Sequence, residues 1–183
     1  MIRFDSLPPE VMQAMCTPMH QILPSAPNPS NPGHSFGSLY LGSLAAVMDK
    51  DLLQNHHVTH IVHVLDAPWL PLSGNEGFVG YKISILDQDS EDIRPHLEAA
   101  CNHIDQALRS GRNVLVHCQQ GVSRSASIVI AYLIRNHGMS FDNALTLLKH
   151  KRACVKPNAG FVRALQEWEA YWRRPNPTRR FTS

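Results

Sequence analysis

Val114-Leu-Val-His117-Cys118-Gln-Gln-Gly121-Val-Ser123-Arg124-Ser125-Ala-Ser-Ile-Val-Ile130 is the stretch from which the fold is read. Val114 to Val116 are apolar and predict a short buried strand. From Ser125 to Ile134 every residue is small or apolar and none is Gly or Pro, which suits a buried helix. Between them runs a loop from Cys118 to Arg124. Such a loop presents consecutive backbone N–H groups, and the following helix aims its positive dipole end at the same point. A nest of this kind binds an anion, and phosphate fits it.

Cys118 stands at the mouth of the nest. Cysteines at helix N-termini or beside cations fall to a pKa of roughly 3.5–7.5, which makes them nucleophiles near neutrality. Arg124 supplies a planar fork able to hold two oxygens of one phosphate. Backbone N–H groups of Gln119, Gln120, Gly121, Val122, Ser123 and Arg124 are the phosphate-binding candidates. Gly121 is expected to let the backbone turn inward where a side chain would block the anion. Ser125, at the helix start, can donate to the sulfur and ease its departure; His117 can orient the loop through its ring nitrogens.

His117-Cys118-x-x-Gly121-x-x-Arg124-Ser125 resembles the HCxxGxxRS/T signature of cysteine-based protein phosphatases. The longer form HCxxGxSRSA, matched through Ala126, is similar to the atypical dual-specificity branch. Ser38-Leu39-Tyr40-Leu41-Gly42-Ser43 resembles the LYLGS opening of those domains, and Lys156-Pro157-Asn158-Ala-Gly160-Phe161 resembles their PNxGF element. The resemblance therefore covers roughly residues 38–172. Two positions depart from it: Ala164, where many relatives have Gln, and His63, where Asn is usual.

Outward from the loop, the pattern is β-α-β-β-α-β and then helices. It predicts an α/β layer structure, a central mixed sheet of about five strands flanked by helices. Leu39 and Leu41 alternate as a strand ended by Gly42-Ser43; Ala45 to Gln54 reads as a helix with Ala45, Met48 and Leu52 on one side. Val58 to Leu65 is a strand, residues 66–78 with Pro68, Pro71, Gly74 and Gly77 a loop, and Tyr81 to Leu86 a strand. Ile93, Leu97, Ala100, Cys101, Ile104 and Leu108 recur at helical spacing, and Gly111 stops that helix. Gly138 caps the central helix, and Ser140 opens another whose apolar face is Ala144, Leu147 and Leu148. The last helix starts near Asn158, with Phe161, Leu165, Trp168 and Trp172 as a core stripe. Residues 1–37 are proline-rich and read as an N-terminal extension, lying along the domain or mobile, with a short helix over Pro9 to Met15; residues 38–172 form the domain, and 173–183 a basic tail.

Cleavage of a phosphate ester needs a proton for the leaving oxygen, delivered from a second loop. The stretch Asp87-Gln-Asp89-Ser-Glu91-Asp92 follows a strand and offers four acids. The resemblance implies an acid just after this strand; Asp87 is its closest positional match, with Asp89 the alternative. Glu91 and Asp92 suit the N-terminal dipole of the helix from Ile93.

A net charge of +2 does not point to nucleic acid or membrane, and the longest apolar run, Ile128 to Ile134, is too short to span a bilayer. Neither an apolar leader region nor a second Gly for myristoylation is present, and no separate regulatory domain fits beside the catalytic one. Cys16, Cys101, Cys118 and Cys154 form no CxxC pair, and a reactive thiol requires a reducing compartment: cytoplasmic, or nuclear as well. His56, His57, His60 and His63 alternate in parity along a strand, so they do not converge on a metal. No metal or other cofactor is expected, because Arg124 and the nest supply the positive potential. The resemblance implies phosphoprotein substrates and hydrolysis of phosphotyrosine, with phosphoserine and phosphothreonine accepted through a shallow pocket. Two other functions compete: a non-catalytic phosphoprotein-binding module, and a phosphatase for lipid or RNA phosphates. The uncharged loop residues Gln119, Gln120, Val122 and Ser123 favour a protein substrate over the latter.

Overall fold

The computed structural model describes residues 6–70 and 77–173. Most of the basic tail, from Arg174 on, and Pro71 and Gly74 of the loop lie outside the described residues. In chain order the elements are α1 (Pro9–Cys16), β1 (Met19–Leu23), β2 (Ala26–Pro27), β3 (Ser35–Phe36), β4 (Leu39–Gly42), α2 (Leu44–Met48), α3 (Lys50–Asn55), β5 (Val58–Val64), β6 (Val79–Ile83), α4 (Arg94–Arg109), β7 (Asn113–His117), α5 (Arg124–His137), α6 (Phe141–Lys151) and α7 (Ala159–Arg173).

Five strands form one mixed sheet in the order β1-β4-β7-β5-β6. All neighbours are parallel except β1, which runs antiparallel to β4. β7 occupies the centre, where Val114, Leu115 and Val116 are buried on both faces of the sheet. A parallel central strand with no exposed face demands an unbroken apolar run, which this one has. α5 is buried from Ser125 to Ile134 and packs against α4, α6 and α7. This arrangement fixes the site: the central strand and the most buried helix meet at one short loop, so the loop inherits the rigidity of both.

The fifth strand comes from the segment read as an extension. Met19 pairs with Gly42 and Gln21 with Tyr40, after which the register slips. The slip is a β-bulge at Ile22, which throws that side chain into the main core at 1% exposure. Buried residues are thus three apart, Met19 and Ile22, and the two-residue alternation that marks a strand is lost. The proline-rich stretch that follows is a two-stranded ribbon, β2 against β3.

The helix expected over Ala45 to Gln54 is two helices. Asp49, at φ −101° and ψ 91°, breaks it, and its carboxylate caps the second half by accepting from Leu52 N–H at 2.9 Å. The break changes the buried face: Ala46 and Leu53 are in the core, while Met48 is 67% exposed and Ala45 lies outside. The next strand is Val79–Ile83, earlier than the expected Tyr81 to Leu86, although Ile83 and Ile85 do face the core. The helix stops fall where turn chemistry puts them. Gly138 is left-handed at φ 65°, and Ser140 Oγ accepts from Asn143 N–H at 3.1 Å. Phe161 and Leu165 are buried, and Trp168 Nε1–H donates to the Ala131 carbonyl, so the aromatic stripe of α7 is packing.

Candidate active site

β7 ends at His117, α5 begins at Arg124, and Cys118 lies between them at 2% exposure. Its Sγ accepts hydrogen bonds from Gly121 N–H at 3.2 Å and from Ser125 Oγ–H at 3.1 Å. The rest of the loop is held from outside by its carbonyl oxygens. Cys118 O accepts from His117 Nδ1 at 3.2 Å, and Gln119 O from Leu44 N–H at 3.2 Å. Gln120 O and Gly121 O accept from Arg152 Nη2 and Nε at 2.8 and 2.9 Å. Val122 O accepts from Lys156 N–H at 2.8 Å, and Ser123 O from Ser127 N–H and Oγ–H at 2.9 and 2.8 Å. In a trans peptide the N–H points opposite to the C=O. Six consecutive carbonyls fastened outward therefore aim the N–H groups of residues 119–124 at the space above the sulfur.

Gly121 makes the expected turn, and the packing around it also requires a glycine there. It sits at φ 67°, and a Cβ there would lie 2.5 Å from the Gly42 carbonyl oxygen and 3.0 Å from Arg152 Nη2. The obstruction a Cβ would meet first is the wall behind the loop.

The acidic loop reaches this structure through Asp87. Its Oδ1 accepts from Ser123 Oγ–H at 2.7 Å and from Asn158 Nδ2–H at 2.9 Å. Asn158 in turn donates its backbone N–H to Ser123 Oγ at 3.0 Å and caps α7 by accepting from Phe161 N–H at 2.9 Å. Asp89 is placed elsewhere: its backbone packs against Gly160, and it lines a separate polar hollow with Arg94 and Glu167. Arg94, in turn, pairs with both Asp92 and Glu167. Arg124 Nη1 makes only a long contact to the Ile85 carbonyl, 3.4 Å, and its buried Nε has no partner among the described residues. An unpaired buried guanidinium donor costs free energy unless an acceptor meets it. An oxyanion bound above Cys118 would be such an acceptor.

Two residues of this site were not singled out from sequence. Arg152 is fully buried, and besides the loop carbonyls it donates from Nη1 to the Thr17 carbonyl at 2.7 Å and to His20 Nδ1 at 2.9 Å. Burial holds its pKa below the usual guanidinium value. In the sequence it ends the basic run His150-Lys-Arg152, which reads as charge at a helix C-terminus. Asn158 was read as the start of α7 and as part of the PNxGF-like element, with no tie to Asp87 or Ser123.

The pair His63 and His117 has its tautomers set by geometry. His117 Nδ1 faces a carbonyl, so it carries the proton; neutral His117 then accepts at Nε2 from His63 Nδ1–H, 2.6 Å away. Both rings are buried. Burial first, then the neighbouring His63 and Arg124, pushes His117 down to about 3; burial, then Lys82, lowers His63. His117 thus serves the loop as a neutral orienting group. Among the described residues, no cluster of three or more His, Cys, Asp or Glu side chains is placed to ligate a metal, and no helix is long and apolar enough to cross a membrane.

Comparison with known proteins agrees with this geometry. Residues 39–171 match the family model described as "Dual specificity phosphatase, catalytic domain". "Dual specificity protein phosphatase 1" of Arabidopsis thaliana is 41% identical over 131 residues, covering 72% of this chain and 65% of that protein. "Dual specificity protein phosphatase 1B" of the same plant is 39% identical over 131 residues, covering 72% of this chain and 77% of that one. The crystal structure of the human "tyrosine phosphatase-like serine/threonine/tyrosine-interacting protein" superposes with a TM-score of 0.71 at 31% identity, over 84% of this chain and 97% of that one. The match begins at Leu39, so β1 and the contacts of Thr17 and His20 lie outside the shared region of the family model. The chain belongs to the dual-specificity phosphatase catalytic-domain family.

Proposed function

We propose that the protein hydrolyses phosphotyrosine, and phosphoserine or phosphothreonine, in protein substrates through a phosphocysteine intermediate. The fastening of six successive loop carbonyls, which turns the N–H groups of residues 119–124 the other way, carries this reading. Cys118 thiolate attacks phosphorus in line; the S–P bond forms as the P–O bond to the side chain breaks. The N–H groups of Gln119 to Arg124 and the Arg124 fork stabilise the equatorial oxygens. Asp87 gives its proton to the departing oxygen. In the second step Asp87 takes a proton from water, the water oxygen attacks phosphorus, and the S–P bond breaks to release phosphate. Ser125 Oγ–H, already on Sγ, stabilises the departing thiolate. No step calls for a metal or cofactor. A nucleophile of this kind works in a reducing compartment, and we assign the protein to the cytoplasm, with the nucleus as a second location.

Hydrolysis of p-nitrophenyl phosphate tests the reading. Turnover by the wild type and its loss in Cys118→Ser are expected; equal rates in both would overturn it. A second reading, a module that holds phosphoproteins without cleaving them, is favoured by the likeness to the human tyrosine phosphatase-like serine/threonine/tyrosine-interacting protein. Phosphopeptide binding by a wild-type protein that turns over neither aryl phosphate nor phosphopeptide would select it.

A further inference from the structure

Beside the phosphate loop is an open hollow of about 470 Å³. One wall is the end of α1, Met15 and Cys16; another is α2, Leu44 and Met48; the third is Gln119 and Gln120, the two residues that follow the nucleophile. None of the side chains lining it is charged. Its walls are cross-linked. Ser43 N–H donates to the Pro18 carbonyl at 2.8 Å, and Leu44 N–H to that of Gln119 at 3.2 Å. The buried Arg152 guanidinium joins the remaining pair, Nη1 to Thr17 O at 2.7 Å and Nη2 to Gln120 O at 2.8 Å. The hollow is thus a preformed continuation of the loop, and its position relative to Cys118 is fixed.

We propose that this hollow is a substrate subsite that takes one apolar side chain flanking the phosphorylated residue of a phosphopeptide. This rests on the phosphatase reading of the same site and names the sequence class it selects. The lack of charge excludes acidic and basic flanking residues by leaving them desolvated and unpaired. Met15 and Met48 line a mouth that adapts to Leu, Ile, Met or Phe. Gln119 and Gln120 are exposed at the boundary, where their amides can bond an extended peptide backbone. A phosphorylated lipid offers no such backbone.

The test uses phosphotyrosine peptides in which Leu or Asp is placed at each flanking position in turn. Binding to Cys118→Ser is measured by calorimetry, and turnover is measured with the active protein. One flanking position should prefer Leu over Asp by about tenfold in both affinity and kcat/KM, the scale of an apolar pocket contact. Met48→Glu, at an exposed position, should erase that preference, while p-nitrophenyl phosphate turnover stays within about twofold and Met48→Leu keeps the preference. Equal binding of Leu and Asp peptides at every position would overturn the subsite even if turnover is normal. So would a Met48→Glu variant that retains the preference. Faster hydrolysis of phosphoinositide vesicles than of every peptide, reduced by Met48→Glu, would assign the hollow to lipid. Absence of turnover with an intact binding preference would sink the catalytic reading and leave the subsite standing.

Discussion

Asp87 and Asp89 are two residues apart and both exposed, yet only one is tied to the loop that carries Cys118. Ser123 and Asn158 hold Asp87 Oδ1, and the proposed mechanism puts the transferred proton on the second oxygen. Asp87→Asn should lower kcat by about 10²–10⁴-fold, the usual contribution of a positioned acid, with tungstate affinity nearly unchanged. Asp89→Asn should stay close to wild type; the reverse ranking in steady-state kinetics would move the acid to Asp89. Arg152 can be tested in the same way. Arg152 donates to the Thr17, Gln120 and Gly121 carbonyls and to His20, and a buried acceptor left unpaired costs about 1–3 kcal/mol, so Arg152→Ala should lose at least that much in urea denaturation. Arg152→Lys keeps the charge without the fork and should recover part of the stability while phosphate affinity stays weakened, because two loop carbonyls share that fork. Equal phosphate affinity in Arg152→Lys and the wild type would show that the loop does not depend on it.

At the scale of elements, β1 is the least expected part of the sheet and the one with the clearest consequence. It buries Met19 and Ile22 and brings Thr17 and His20 to Arg152. A chain beginning at Ser38 would retain the region that matches the family model but lose these. Burying one such apolar side chain contributes about 1.5–3 kcal/mol, so a Tm well below that of the full chain and a reduced kcat are expected. An unchanged Tm would show that the strand is dispensable. β7, α4 and α5 were legible because each follows one rule throughout: a continuous apolar run, a helical stripe, a helix without breakers. β1 was hidden because its bulge removes the alternation by which strands are recognised. The divided helix was misread because Asp49 looks like any exposed helix residue until its carboxylate is seen capping the turn after it. At the site, the grouping of Cys118, Arg124 and Ser125 was readable from their fixed spacing in one short loop. Arg152 and Asn158 were not, since their roles exist only after distant segments meet.

The whole molecule carries a uniform response to acid. Burial is the leading cause that lowers His20, His60, His63, His103, His117 and His137. When a folded-state pKa is depressed, the unfolded chain binds more protons below the ordinary value of about 6.5. Stability is therefore fully present above that pH and is lost as pH falls toward 3, the value His117 reaches. Urea midpoints should decline steadily from pH 6.5 downward, and His117→Asn should flatten part of the decline; a midpoint that does not change between pH 7 and 4.5 would contradict this.

The carbonyl anchors of the loop have a further consequence. They are supplied by residues 44, 117, 127, 152 and 156, so no short fragment contains the means to shape the loop. A chain emerging from the ribosome exposes its nucleophile long before the last anchors have left the exit tunnel. During that interval the peptide groups proposed to hold phosphate are not yet in place. Capture of an oxyanion thus reports the last stage of assembly, and a refolding time course followed by tungstate uptake should lag behind one followed by helix content.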